Sequence, residues 1–515
     1  MTRSDITPMR PVQYLLLLAS VLFLWPAFVN TGPFFFSDTP AYVRGVDAAV
    51  FHATGIPSDW TVKAHPRATA SGSPPGPASR PASRPTPATT EAPQPPATDK
   101  PVLLGRSAYY GIILYLGVAF HGFWAVLLVQ GLVAASILLV LLRHVVDPGD
   151  GRRFAVAAMA LFALLAVTPL PFFVCLLMPD LFSGVTIVAA AVLLLGWKRE
   201  APLVRGYLVA ILALAALVHS SNVLLLAGFA ILFAGWTVIR ARRRPGGIAR
   251  LLPAGALLGC ALVGLAGESA FTAAITSITG QSPIRPPFLT ARFVDDGPGT
   301  AYLRAKCGHS TLVLCRFVDR LPVPSDGFLW DPDPRTGVFM AVSPTLQRRL
   351  AAEQLPFVLA SVRHAPLATA TMLLRDFATQ LGKGGLSEFH YNREQRSYFA
   401  VKLPAAMFAN VRQSPAYRGT FPLAPFETIS LLLSIGAALI LLSSWLPRSP
   451  LAPWAGYATI ALGGVLLNDL VCGCLSTPHD RYQMRVIWVL PAVAAVLLIA
   501  RRADRHRPDR ATAIG

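Results

Sequence analysis

Charged side chains are scarce in this sequence: they make up 14% of its 515 residues, against 54% hydrophobic ones. So little charge cannot cover a soluble surface of ordinary size. The apolar residues fall in runs of about 16 to 30 separated by short basic loops, the pattern of many transmembrane helices. Acidic residues are rarer than basic ones, 26 against 45 Lys and Arg, which leaves a net charge of +19. That surplus does not point to nucleic acid. It sits between apolar runs, at Arg152-Arg153, at Arg240-Ala-Arg-Arg-Arg244 and from Arg501 to Arg510, where it anchors loops to membrane lipids of an inner leaflet. Six cysteines are too few for a disulfide scaffold, and no Cys/His spacing reads as structural zinc. Walker, dinucleotide and serine-hydrolase motifs are lacking as well. No internal repeat announces the matched halves of a transporter.

What remains is an all-α polytopic membrane protein with about ten transmembrane helices. They are expected at 12–29, within 108–142, and at 154–177, 183–197, 203–218, 223–239, 251–267, 428–445, 453–469 and 484–500. The Arg clusters then fall on one side, which makes both termini cytoplasmic. Residues 1–66 hold the first helix and the first outward loop, and 67–99 form a Pro-rich outward stretch that cannot bury a core and reads as disordered. Residues 100–267 carry helices two to seven, 268–427 an extracytoplasmic insertion of mixed or mostly helical structure, 428–500 the last three helices and 501–515 a basic cytoplasmic tail. Within the insertion, Leu346 to Leu373 has helical periodicity, and Cys307 and Cys315 would form a bridge if that side is oxidising. Arg-over-Lys usage without an organelle address fits a bacterial inner membrane.

Polar groups collect at the outward helix ends. Asp38, in Phe34-Phe-Phe-Ser-Asp-Thr-Pro-Ala-Tyr42, follows the first helix directly. It could cap a helix starting at Pro40, or serve as general base on a sugar or lipid hydroxyl. Asp180, in Met178-Pro-Asp-Leu-Phe-Ser183, has the same two readings, and the two carboxylates together could hold a divalent cation, Mg or Mn. The most crowded stretch runs from Asn468 to Arg485 and includes Cys472, Cys474, His479, Asp480, Arg481, Tyr482 and Arg485. Arg481 and Arg485 are four apart and share a helix face suited to phosphate, with Tyr482 beside them and His479 able to donate a hydrogen bond or a proton. Lesser candidates for the cavity wall are Tyr42, Arg106, Tyr109, Tyr110, His219, Asn222 and Glu268, and Asp326, Trp330 and Asp331 for an acceptor groove. His390-Tyr-Asn392 carries no readable signal.

With Asp38 in the first outward loop, Asp180 in the second, a large insertion before the last helices and Pro478-His-Asp-Arg-Tyr-Gln-Met-Arg485 after it, the chain resembles the GT-C superfamily of polytopic glycosyltransferases. The resemblance implies transfer of a sugar from a polyprenyl-phosphate donor to a glycan, lipid or protein acceptor on the extracytoplasmic face, with no nucleic-acid partner. It implies a catalytic role for Asp38 and a metal-binding or substrate-orienting one for Asp180. The second loop lacks a DxD, the signature of metal-dependent members. A lipid or polysaccharide transporter or flippase, a membrane acyl- or phosphotransferase, and a noncatalytic envelope-assembly protein are the alternative readings.

Overall fold

The computed structural model describes residues 9–64, 102–120, 122–146, 151–241 and 250–505. The Pro-rich stretch at 67–99, Arg242 to Arg244 and the tail beyond 505 lie outside the described residues. Among these residues the chain is helical throughout, with no strand beyond two isolated bridges, and it is a multi-pass membrane protein. Six helices are long and apolar enough to cross a bilayer: Phe123–Val145, Ser220–Arg240, Leu252–Thr279, Leu423–Ser443, Ala452–Leu475 and Asp480–Asp504.

The centre of the bundle is the short helix Leu181–Gly196, in which every side chain from Leu181 to Leu194 is buried. A helix apolar on all faces is stable only where other helices enclose it. Leu252–Thr279 and Leu423–Ser443 are the opposite case, peripheral helices whose Leu258, Leu262, Leu432 and Leu439 are exposed. Those faces meet hydrocarbon.

Several expected helices are broken, and the breaks build the site. The 12–29 run divides into Met9–Leu22 and Trp25–Val29, with Pro26 in the first turn of the second piece. The 154–177 run likewise divides into Gly151–Leu165 and Leu170–Val174, with Pro171 in the same place. Proline is tolerated in a first turn and refused further in, so each Pro starts a new helix. The 108–142 run folds back as Ala108–Phe120 and Phe123–Val145 around Gly122, whose φ is 72°. Gly111 lets the first of these helices close onto the helix Thr39–Thr54: a Cβ there would lie 2.6 Å from the Tyr42 carbonyl oxygen.

The insertion also departs from expectation. Leu252–Thr279 continues three turns past 267, so Glu268 sits inside a helix instead of at its exit. The periodic stretch at 346–373 is three helices, Pro344–Ala352, Gln354–His364 and Pro366–Leu381, and the last two meet at 107° where Pro366 restarts the chain. Their apolar faces build a separate core with Phe293, Phe328, Phe339 and Phe357. Cys307 and Cys315 form the disulfide beside it. Asp331 accepts hydrogen bonds from Thr336 and the Asp333 backbone, and Trp330 packs on Phe288. Trp330 and Asp331 thus belong to local structure of that core, whereas Asp326, exposed in the helix Ser325–Trp330, lies close enough for its charge to act on His479.

One ion network ties the insertion together. Buried Arg292 lies 2.8 Å from Asp296 and 2.6 Å from Asp376, and Arg375 pairs with Asp296 from the exposed side. Burial pushes the Asp296 carboxyl up, Arg292 pulls it down and Asp376 pushes it up again, to about 6. Because the folded value exceeds the ordinary one, Asp296 contributes stability that is present below pH ~4 and is lost as pH rises through about 6. Relative to Asp296→Asn, the wild type should therefore lose on the order of 1 kcal/mol between pH 4.5 and 7, after screening. Unfolding of both proteins in detergent at the two pH values measures it, and a constant difference between them would refute the assignment.

Candidate functional site

The site is assembled by one pair of backbone hydrogen bonds. Phe34 N–H donates to the Cys175 carbonyl at 2.9 Å, and Leu177 N–H donates to the Phe34 carbonyl at 2.9 Å. This makes a parallel bridge between Phe34 and Leu176. Parallel pairing advances both segments in the same direction. Four residues past Phe34 is Asp38, and four past Leu176 is Asp180. Thr39 Oγ1 donates to the Leu177 carbonyl at 3.1 Å and holds the register. The bridge needs its own support, because loop backbone at this depth must find partners within the protein. Gln130, buried in Phe123–Val145, donates to the carbonyls of Val174 and Leu176 and accepts from Tyr110 Oη. Around the bridge Phe34, Phe172, Phe389 and Phe421 pack edge to face.

Asp38 and Asp180 both occupy N-cap positions, of Thr39–Thr54 and Leu181–Gly196, yet neither side chain makes a capping bond. Asp38 pairs with Arg106, both partly open to water. Asp180 has no exposed surface and faces two guanidinium groups, Arg485 Nη1 at 3.2 Å and Arg481 Nη1 at 3.6 Å. Burial works against its charge, but Arg481 and Arg485 together hold the carboxyl below the usual range. Tyr42 joins the two acids. Its hydroxyl is raised far above its ordinary value by burial first, then by Asp38 and Asp180, against Arg106 and Arg481. One buried phenol thus feels Asp38, Arg106, Asp180 and Arg481.

The two arginines expected to share phosphate binding have different surroundings. The helix Asp480–Ile487 places both on one face, as their spacing requires. Arg485 is fully enclosed: its nitrogens bond Asp180, Asn468, Ser221 Oγ and Cys472 Sγ. Arg481, 8% exposed, makes no hydrogen bond from its side chain among the described residues. Its guanidinium stacks 3.9 Å from the centre of the Phe36 ring and lies 3.4 Å from Glu388. Tyr482 is a platform under both, 5.3 Å from Arg481 and 5.0 Å from Arg485.

His479 stands at the rim, with Nδ1 3.8 Å from Glu388. Burial lowers its basicity, Glu388 opposes this and Arg481 adds to it, so the ring is held below its usual value. Gln380 fixes its backbone, accepting from His479 N–H at 3.0 Å and donating to its carbonyl at 3.1 Å. His219 lies behind the arginines and accepts from Ser221, whose Oγ accepts from Arg485 in turn. Burial and the nearby Arg485 bring His219 down to about 3, so the ring is neutral and its Nδ1 is free to accept.

Other expected members of the cavity are placed elsewhere. Asn222 is buried between Ser183 Oγ and the Ala215 carbonyl, where it joins two helices. Tyr109 donates to the Gly267 carbonyl, and Glu268 pairs with Arg285 of the insertion. Asp480 accepts from Gly384 N–H and fastens a loop of the insertion. Cys472 and Cys474 are buried thiols in the last turns of Ala455–Leu475, not residues of an outward loop. Two contributors were not foreseen, Glu388 and Tyr391, whose hydroxyl accepts from Phe35 N–H at 2.8 Å. Neither is marked in the sequence, since aromatic residues are common throughout the insertion.

The carboxylates do not fit a divalent cation held between them. Asp180 faces two guanidinium groups and Asp38 a third, and like charge repels a cation from such a pair. No group of three His, Cys, Asp or Glu side chains converges among the described residues.

Asp180→Asn should cost about 3–5 kcal/mol or abolish folding, because it leaves buried guanidinium charge uncompensated. Adding Arg485→Met should recover at least half of that loss in detergent unfolding. No recovery would show that the ion pair is not what Asp180 provides. No family model, no curated protein and no solved structure matches this chain.

Proposed function

We propose that this protein is an extracytoplasmic-face glycosyltransferase that moves a sugar from a polyprenyl-phosphate donor to an envelope glycan, lipid or protein acceptor. The observation that carries the reading is Arg481. Asp180 and Glu388 offset its charge, but its Nε and Nη1 make no hydrogen bond to a described residue, which leaves donors for a further acceptor. The guanidinium is seated beside the partly water-exposed Asp38–Arg106 ion pair at the end of several apolar helices, where a lipid-linked phosphate would arrive.

On this reading the six long helices are joined by Met9–Leu22, Gly151–Leu165, Leu181–Gly196 and Pro202–Val218 to give ten crossings of a bacterial inner membrane in a GT-C arrangement. The site then faces the periplasm, a compartment that suits the Cys307–Cys315 disulfide.

The donor phosphate binds Arg481 against the Phe36 ring, while Asp180 and Tyr482 hold that guanidinium in place. The acceptor hydroxyl oxygen attacks the anomeric carbon and gives its proton to Asp38. Arg106 occupies one Asp38 oxygen and leaves the other for that proton. The bond from the anomeric carbon to the phosphate oxygen breaks, and the electron pair departs on the phosphate, where Arg481 neutralises the growing charge. His479, neutral at the rim, hydrogen-bonds a phosphate oxygen. One displacement inverts the anomeric centre.

Asp38→Asn should lower transfer about 10²–10⁴-fold with donor binding retained, whereas Arg481→Ala should weaken donor binding by roughly 10- to 100-fold. Purified protein assayed with polyprenyl-phosphate sugars, acyl donors and phospholipid donors provides the measurement. Full turnover by Asp38→Asn would remove the base assignment, and turnover confined to acyl or phospholipid donors would remove sugar transfer.

A further inference from the structure

The helix Pro366–Leu381 of the insertion has an outer face without charge. Leu367, Ala370, Thr371, Leu374, Ala378 and Leu381 recur at the spacing of one helix face, and all six are exposed. Leu367 and Leu374 are 83% and 69% exposed. The one hydroxyl on this face, that of Thr371, donates to the Leu367 carbonyl at 3.0 Å, so the donor does not need water. Arg375, at the edge of the face, pairs with Asp296, and Asp376, the only acid of the helix, is buried against Arg292.

What covers this face is set by the helix beneath it. Leu466 and Leu470, on the membrane helix Ala455–Leu475, are exposed and meet lipid. Gly473 and Cys474 continue the same face, and there the helix Pro366–Leu381 lies on it. A Cβ on Gly473 would come within 2.9 Å of Gln380 Cβ and 3.0 Å of the Asp376 carbonyl oxygen, and Cys474 Sγ donates to the Leu373 carbonyl at 3.3 Å. Only one turn, about 6 Å along the axis, separates Leu470 from these covered residues. The insertion helix is therefore attached to the lipid side of the bundle. Leu373, Asp376 and Gln380 hold it there, and at 3.6 residues per turn the face with Leu367, Leu374 and Leu381 is the opposite one, turned away from the bundle into the surroundings of Leu470.

We infer that the helix Pro366–Leu381 is seated by its outer face in the boundary region of the bilayer, in the leaflet on the side of the candidate site, with phospholipid as its partner. Charge agrees with that partner. Arg363 and His364 precede the helix, Lys383 follows it, and no acid is exposed along it, an arrangement suited to headgroup phosphates at both ends of an apolar face. The bend of 107° at Pro366 separates this helix from Gln354–His364, whose Phe357 and Val358 enter the Phe-rich core. The inner face of the seated helix carries Gln380, which clamps the His479 backbone. One rigid element thus has lipid on one side and the rim of the site on the other, about 10–12 Å apart, the diameter of a helix. The seat depends on the membrane fold alone and not on the proposed transfer reaction.

Leu367→Cys and Leu374→Cys, each labelled with bimane in the full-length protein in nanodiscs of phosphatidylethanolamine and phosphatidylglycerol, test the seat. The two positions lie on one face, so each reports independently if the other variant folds poorly. Arg335→Cys, at an insertion side chain that is 89% exposed, is the water-facing control. The free cysteines Cys175, Cys260, Cys472 and Cys474 are buried, and label taken up by the unsubstituted protein sets the background. Lipid brominated in the upper acyl chain should lower emission at the two leucine positions about 2-fold, since an interfacial helix reaches roughly 5–10 Å into the headgroup and acyl boundary. The control should be unaffected by bromine and quenched by aqueous iodide. Iodide quenching at the leucine positions equal to that of the control would overturn the seat. Labels there that are shielded from both quenchers would overturn it as well, in favour of a second copy of the chain or another protein on this face.

Discussion

Asp180 has no contact with water, and its charge persists only because Arg481 and Arg485 approach it from a helix near the far end of the chain. A lone carboxylate in that environment would take up a proton, and a lone guanidinium there would be harder still to accommodate. The pairing therefore constrains two parts of the chain about 300 residues apart to one arrangement. Much else follows from it. The helix Leu181–Gly196 must begin where the arginines are, the helix Asp480–Ile487 must turn both arginines inward, and Asn468, Ser221 and Cys472 must supply the remaining acceptors for Arg485. Once Arg485 is saturated, Arg481 is left as the group with capacity for something outside the protein.

The two halves of the site repeat a local design that shows in the sequence only over a few residues. Each starts with a long helix that breaks, continues in a five-residue helix with Pro in its first turn, and reaches a carboxylate four residues past a paired backbone position. Trp25-Pro-Ala-Phe-Val29 and Leu170-Pro-Phe-Phe-Val174 share Pro, Phe and Val at their second, fourth and fifth positions, too short a match to announce a repeat. The likeness is one of geometry, in which Pro ends one helix and the bridge then uses backbone groups that the broken helices leave free. The environments diverge, with Asp38 partly wet and Asp180 dry, and so two acids at equivalent positions are suited to different tasks.

The insertion is more than a cover over the bundle. Through Tyr391 it supports the Asp38 segment, through Gln380 it clamps His479, and through Glu388 it places a carboxylate beside Arg481. Its own fold is fixed separately by the Phe-rich core and the Arg292 network. A rigid module of this kind can hold loop residues at a membrane boundary where the bilayer itself offers no directional contacts.

By itself the sequence determined that the chain crosses a membrane many times, that its polar chemistry collects near Asp38, Asp180 and His479 to Arg485, and that the two arginines share a face. These are local properties: hydrophobic run length, the cost of charge beside apolar segments and the period of a helix are all readable within a few residues. Only the tertiary structure decided where the long runs break, that Asn222, Tyr109, Glu268 and Asp480 serve packing, that Glu388 belongs to the site, and which arginine is left incomplete. Whether a buried donor is satisfied depends on neighbours hundreds of residues away, such as Asp180 for Arg485 and Tyr391 for Phe35. No window along the chain contains both partners.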